Sequence, residues 1–312
     1  TNLRLRAALL RRVREFFDAR DFVEVETPLL SHETVVDRHL EPIEVVPRDE
    51  MGRSGGGEPM WLQTSPELAM KRLLAAGGHA IYQITRSFRG GELGPRHNPE
   101  FTIVEWYRVG DSPRAAMDRL SDLAEAILCR GPAQRVTYAE AFQGHVGLDP
   151  HEATGKELAA AAREHHVEAP EGWPWSDRDS WLHLLMAELV EPHLGRGRPT
   201  IVCDFPAGQA ALASLRTTPI PVAERFELYS DGVELANGYH ELTDAAELRT
   251  RLERVQTARR EAGLVVAPMP ESLLAAMESP GLPACCGCAL GLDRLAMLAM
   301  GASSIDEVCV GP

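Results

Sequence analysis

Short β-rich runs follow one another along this chain, mostly without helices of crossover length between them. Phe22–Leu30, Ile43–Val46, Trp61–Thr64, Ile81–Ile84 and Phe101–Val109 come in succession, and Ile201–Cys203, Phe226–Tyr229, Val233–Leu235 and Gly287–Gly291 follow later. Parallel neighbours need a long connection, usually a helix, whereas antiparallel strands need only a turn. The spacing therefore predicts an α+β fold with a mainly antiparallel sheet flanked by helices, and not a doubly wound parallel sheet.

The flanking helices are legible from period and punctuation. Leu5, Leu9, Val13 and Phe16 or Phe17 recur at helical spacing, predicting a helix from Leu3 to Arg20. Ser65 as a cap and Pro66 in the first turn predict a helix through Ala76. Further helices are expected over Pro113–Cys129, Trp181–Leu194, Ala245–Ala262, after Pro270, and over Leu292–Met300. A glycine-rich loop spans Gly52–Gly57. The polar stretch Gly131–Trp175 reads as an insertion into one catalytic domain covering 1–312.

Charge narrows the function. There are 32 basic and 46 acidic side chains, a net −14, which disfavours a protein built to wrap a long polyanion. No apolar run approaches a membrane span and the Arg-rich start lacks a signal-peptide core, so a cytoplasmic location is expected. Cys285-Cys286-Gly287-Cys288 contains a C-x-x-C without a second pair, so it reads as small side chains entering a buried strand, not a zinc site.

Three segments carry chemistry. In Arg86–Tyr107 a glycine-bearing loop holds Arg89, Arg96 and His97, donors suited to polyphosphate. The strand after it alternates, so Phe101, Ile103, Glu105 and Tyr107 share a face. A ring, a carboxylate and a phenol there suit a nucleobase and a cation; a solvated hairpin with one packed aromatic fits the spacing equally. In Glu227–Glu241, Asp231-Gly232 signals a two-residue hairpin turn. That turn pairs Ser230 with Val233, Tyr229 with Glu234 and Glu227 with Ala236, making Glu227 and Glu234 diagonal neighbours on one side. Magnesium bridging to phosphate suits such a pair, and two wet surface acids are the plain alternative. In Gly287–Leu295, glycines permit close approach to a ligand and Asp293-Arg294 opens a helix. No nucleophile elbow, H-E-x-x-H, P-loop or dinucleotide fingerprint occurs, so electrostatic catalysis on bound ATP is expected.

Together these pieces resemble the catalytic core of class II aminoacyl-tRNA synthetases. The first helix with Glu24-Val-Glu-Thr-Pro28 is similar to motif 1, Phe88-Arg89 through Glu105 to motif 2, and Gly287 to Arg294 to motif 3. Thr64-Ser-Pro-Glu67, Met70-Lys71, His97-Asn-Pro-Glu-Phe-Thr102 and the Asn237-Gly238 hairpin resemble the lysine branch. Glu105-Trp-Tyr-Arg108 and Glu234-Leu-Ala-Asn-Gly-Tyr-His-Glu-Leu242 are similar to the paralogues in that branch that modify elongation factor P. The resemblance runs over nearly the whole chain.

The resemblance implies a ligase that activates (R)-β-lysine with ATP as the adenylate. The acyl group then passes to a lysine ε-amino group of elongation factor P. It implies Arg89 on the α-phosphate and substrate carboxylate, Arg89 and Arg294 being the catalytic pair. His97 and Arg294 would take the β- and γ-phosphates, Asn98 would brace the loop, and Phe101 would stack adenine. Leu235, Gly291, Gly90 and Gly91 would supply backbone near the nucleotide, and Glu227 and Glu234 would hold Mg2+. Glu105, Glu241 and Tyr107 would form an acidic pocket for the distal ammonium, with Ser65, Pro66 and Glu67 at the other amino group and Asn237 alongside. Ala289, where lysyl-tRNA synthetases tend to have glycine, would reshape the floor. Motif 2 departs from the usual pattern at Gly91, where a glutamate normally contacts adenine, and Glu92 or backbone is expected to take over. Motif 1 implies a homodimer. The chain starts just before motif 1, so no anticodon-binding domain is expected and tRNA is not the expected partner. The alternatives are a lysyl-tRNA synthetase core and a non-catalytic amino-acid sensor, the latter at odds with the retained phosphate and metal groups.

Overall fold

The computed structural model describes residues 2–38, 40–47 and 57–309. The expected glycine-rich loop over Gly52–Gly57 therefore lies outside the described residues, apart from Gly57. In chain order the elements are α1 (Asn2–Asp18), β1 (Val23–Glu24), β2 (Leu30–Ser31), β3 (Glu44–Val45), β4 (Met60–Leu62), α2 (Glu67–Ala75), β5 (Ala80–Phe88) and β6 (Glu100–Val109). Next come α3 (Pro113–Leu128), β7 (Gln134–Thr137), α4 (Tyr138–Val146), α5 (Gly155–Glu164), α6 (Arg178–Leu185), β8 (Thr200–Pro206), β9 (Leu215–Arg216), β10 (Val222–Ser230) and β11 (Val233–His240). The last are α7 (Ala245–Glu261), α8 (Glu271–Ala276), β12 (Cys285–Gly291) and α9 (Leu292–Met300). The chain divides into two compact units, Thr1–Ser112 with Glu241–Pro312, and Pro113–His240.

In the first unit β6 lies between β5 and β12, antiparallel to both, and β1 joins β5 in parallel. β2, β4 and β3 form a small antiparallel sheet. The helical stripe on α1 buries Leu9, Val13, Phe16 and Phe17. Phe17 stacks on Tyr82 at 4.6 Å and meets Trp106 at 5.2 Å, so the motif 1 helix is anchored on β5 and β6 by aromatic packing.

In the second unit β10 lies between β8 and β11, antiparallel to both, with short β9 also on it, and β7 runs parallel to β8. Gly131–Trp175, expected as a polar stretch, holds β7, α4 and α5. Thr137/Glu140 and Thr154/Glu157 form reciprocal capping boxes at the two helix starts. Tyr138, Phe142, Leu158 and Ala162 then bury the apolar faces in one core with Trp181 and Leu185. The helix expected to reach Leu194 ends at Leu185 and continues as a π-turn and a 3-10 turn containing Pro192, which cannot donate to a helical ladder. Pro66, not Ser65, occupies the N-cap position of α2, although the Ser65 hydroxyl still accepts the Glu67 N–H at 3.0 Å. Among the described residues no helix is long and apolar enough to cross a membrane.

Candidate active site

The first unit gathers most of the expected residues. On β6, Glu105 pairs with Gln83 of β5 and Ala289 of β12, so all three share a face. Tyr107, two positions on, pairs with Gly287. Its phenol donates to Glu105 Oε1 at 2.6 Å, and the Ser65 hydroxyl donates to Glu105 Oε2 at 2.7 Å. Both carboxylate oxygens thus have neutral donors, and among the described residues no cation is bonded to them. Burial, with the nearby negative charge of Glu67, pushes the Glu105 pKa up to about 7.

Beside it lies a residue that the sequence reading gave no role. Lys71 on α2 is buried with its ammonium 2.5 Å from Glu67 Oε1 and 2.6 Å from Glu241 Oε2. Burial works against its charge, but Glu241 and Glu67 outweigh that and raise its pKa above the ordinary lysine value. Burial pushes Glu241 to about 8 although Lys71 pulls the other way. The signal was present in Glu67 and Lys71 at i and i+4, which face each other on a helix. Gly287 makes the room: a Cβ there would overlap the Tyr107 ring and the Glu241 carboxylate.

The phosphate-type donors cluster on the loop between β5 and β6 and at the start of α9. Arg89 lies 4.9 Å above the Phe101 ring and 3.6 Å from Glu92, with its Nε donating to the Thr64 carbonyl at 3.4 Å. Arg294 donates to His97 Nε2 and, through Nε, to the Arg96 carbonyl at 3.2 Å. Burial and the Arg294 charge lower the His97 pKa, which favours the neutral ring that accepts this bond. Asn98 is half-buried in the same loop, Gly90 and Gly91 follow Arg89 directly, and Gly91 has φ +73°, a conformation that favours glycine. Gly291 ends β12 and caps α9.

The loop is braced from far along the chain. Gly90 N–H donates to the Glu41 carbonyl at 2.7 Å. Arg259 on α7, 2% exposed, donates to the carbonyls of Asp37, Arg38, Leu40 and Val265 and pairs with Glu41 at 2.8 Å. Asp293 is buried at the start of α9, accepts the Thr102 N–H at 2.7 Å and pairs with Arg6 of α1 at 2.6 Å. These contacts tie motif 1, motif 2 and motif 3 segments together.

The second unit holds the other acids. The hairpin pairs Ser230 with Val233 and Tyr229 with Glu234 as expected, but Glu227 pairs with Asn237 and not with Ala236. A bulge between Leu228 and Tyr229 absorbs Leu235 as an extra residue. Glu227 and Glu234 remain on one side, and the bulge turns Asn237 to that side as well. Glu227 is buried, with Oε1 held by Arg225 at 2.5 Å and Oε2 by the Tyr229 phenol at 2.5 Å. Neither partner was expected from sequence, although each stands two residues from Glu227 on the same strand. Among the described residues no group of three or more His, Cys, Asp and Glu could hold a metal ion. Magnesium bound through one or two carboxylates plus substrate phosphates needs no such cluster. The buried Asn237 Oδ1, which accepts no bond, adds an orphaned oxygen on the same face, so the donor set fits a hard cation.

A chain with motif segments in this order, a mainly antiparallel sheet and phosphate-type arginines beside a buried acidic pocket has the make-up of a class II synthetase core. The family model for class II tRNA synthetases (D, K and N) matches residues 1–312, and the chain belongs to that family. Within it, the chain is similar to proteins named elongation factor P--(R)-beta-lysine ligase. It is 46% identical to that of Mannheimia succiniciproducens, over 97% of this chain and 92% of the relative. It is also 46% identical to that of Vibrio cholerae, over 100% and 95%. The Klebsiella pneumoniae protein is again 46% identical, over 98% and 93%.

Proposed function

We propose that this chain is an ATP-dependent ligase that activates (R)-β-lysine as its adenylate and transfers the acyl group to a lysine ε-amino group of elongation factor P. The observation that carries this reading is charge. Glu67, Glu105 and Glu241 are buried together with the ammonium of Lys71, so three acids meet one internal cation, and a substrate bearing two ammonium groups brings the positive charge that favours their ionised forms. Such a pocket repels acidic amino acids, which separates it from the aspartate members of the same family.

In the first step a carboxylate oxygen of the amino acid attacks the α-phosphorus and pyrophosphate leaves. Arg89 holds both reacting groups and stabilises the charge that grows between them. His97 and Arg294 hold the leaving phosphates, Phe101 stacks adenine, Asn98 braces the loop, and Gly90, Gly91, Leu235 and Gly291 contribute backbone. Glu92 contacts the adenine amino group, and Glu92→Ala is expected to raise the KM for ATP; an unchanged value removes this role. Glu227 and Glu234, with Asn237 nearby, would hold Mg2+, which would neutralise phosphate charge. Ser65, Pro66 and Glu67 flank one amino group, Glu105, Tyr107 and Glu241 receive the distal one, and Ala289 shapes the floor. In the second step the amine nitrogen of the acceptor lysine attacks the acyl carbon, AMP leaves and an amide forms, the amine losing a proton.

The test is pyrophosphate exchange with (R)-β-lysine against α-lysine, followed by transfer assays with elongation factor P and with tRNA. Preferential exchange with (R)-β-lysine and a mass increase on elongation factor P are expected. Preferential activation of α-lysine with charging of tRNA overturns the reading.

A further inference from the structure

Lys71 is the charged group of the acidic pocket for which the proposed reaction has no use. Its ammonium lies between carboxylates from two elements, 2.5 Å from Glu67 on its own helix and 2.6 Å from Glu241 just after β11. Glu67 in turn donates its backbone N–H to the Ser65 hydroxyl, and that hydroxyl donates to Glu105. One lysine thus fixes the separation of two carboxylates and, through Ser65, is linked to the third.

We propose that Lys71 is a specificity-determining residue: a built-in ammonium that neutralises one of three buried carboxylates, spaces Glu67 and Glu241, and leaves Glu105 vacant for the substrate's distal ammonium. This rests on the diamino-acid reading above. Without the internal ammonium the three acids would face one another with no cation between them, and Glu105 and Glu241, which already hold their protons to higher pH than a free glutamate, would hold them higher still. A protonated carboxyl no longer attracts an ammonium, and Glu67 and Glu241 would lose their common partner. Arginine is a poor substitute, because a planar fork cannot sit as a point charge between two carboxylates. The other titratable groups around this centre are Glu105, Tyr107, Cys285 and Cys288; burial raises the tyrosine and cysteine pKa values and keeps them neutral. The pocket's charge is therefore set by Lys71 and the three glutamates.

The experiment measures pyrophosphate exchange by the full chain carrying Lys71→Met, Lys71→Ala or Lys71→Arg, with (R)-β-lysine, α-lysine and norleucine across pH. Lys71→Met is expected to raise the KM for both diamino acids about 30-fold or more, with the KM for ATP nearly unchanged, as for the loss of one partner of a buried charge pair. The acid limb of the KM profile moves to higher pH, because the carboxylates lose their cation. Ethylammonium added to Lys71→Ala restores exchange about 5-fold or more, and leaves Lys71→Met, whose side chain fills the space, unchanged. A merely structural lysine gives neither the pH shift nor the rescue. Should both neutral variants fail to fold, Lys71→Arg decides: a raised diamino KM and a changed preference between the two lysines support the proposal, and wild-type values overturn it. Exchange by the wild type with Lys71→Met matching it overturns the proposal alone. A wild type that exchanges with norleucine but with neither diamino acid overturns the reading on which the proposal stands.

Discussion

Glu105 on β6 and Glu227 on β10 are the same local device in two regions. Each is buried, and each is followed two residues on by a tyrosine whose phenol donates to it, at 2.6 and 2.5 Å. The third partner differs. Glu227 also receives the Arg225 guanidinium at 2.5 Å, whereas Glu105 receives the neutral Ser65 hydroxyl at 2.7 Å. A hydroxyl stabilises a carboxylate without cancelling its charge. One strand pattern therefore yields a guanidinium-paired carboxylate in one place and a carboxylate held by neutral donors in the other, and the choice is made by residues outside the pattern.

The largest effects come from applying one substitution to both. Glu227→Gln leaves the partly buried Arg225 without its anion and is expected to lower the unfolding free energy by about 2–4 kcal/mol in denaturant titrations. Glu105→Gln removes a charge that burial opposes, so stability near neutral pH holds or rises while calorimetric affinity for a diamino acid falls by about 2–5 kcal/mol. Equal loss of stability in the two variants breaks the comparison.

The pH dependence sharpens it. Glu105 and Glu241 have folded-state pKa values of about 7 and about 8, above the 4.5 of a free glutamate. The unfolded chain releases these protons first, so stability falls as pH rises from about 5 to 8 and levels off beyond. Saturating diamino acid is expected to flatten that decline, and the amino-acid KM is expected to fall over the same interval as the carboxylates ionise. Melting curves that stay flat without ligand remove the raised pKa values from the account. Next in size, Gly287→Ala forces a Cβ against Tyr107 and Glu241 and is expected to cost about 1–3 kcal/mol and raise the diamino KM. The smallest effects are those of Tyr107→Phe and Tyr229→Phe, about 1 kcal/mol each. Only the first is expected to move the pH profile of the KM.

Much of this was readable in advance, and the misses share a cause. Alternation put Glu105 and Tyr107 on one face, and the Asp231-Gly232 turn fixed the hairpin's first two pairs. The bulge at Leu235 escaped, because an extra residue leaves the apolar pattern of β11 nearly intact while moving Asn237 to the other side. Residues 131–175 read only as a polar stretch because polar residues and prolines outweighed two Thr-x-x-Glu capping boxes that were visible in the sequence. Lys71, Arg225 and Arg259 were legible only as charges. What each does depends on burial and on partners up to 222 positions away, as between Arg259 and Asp37, and no local period encodes that.

The first unit is assembled from both ends of the chain, and that imposes an order on its birth. As the ribosome extends the polypeptide, Lys71 emerges long before Glu241, and the loop bearing Arg89 long before Arg259. Until those late segments leave the exit tunnel, the nascent amino half has neither the second anion for its buried ammonium nor the Arg259 clamp that braces the loop between β5 and β6. An incomplete chain therefore lacks the assembled acidic pocket.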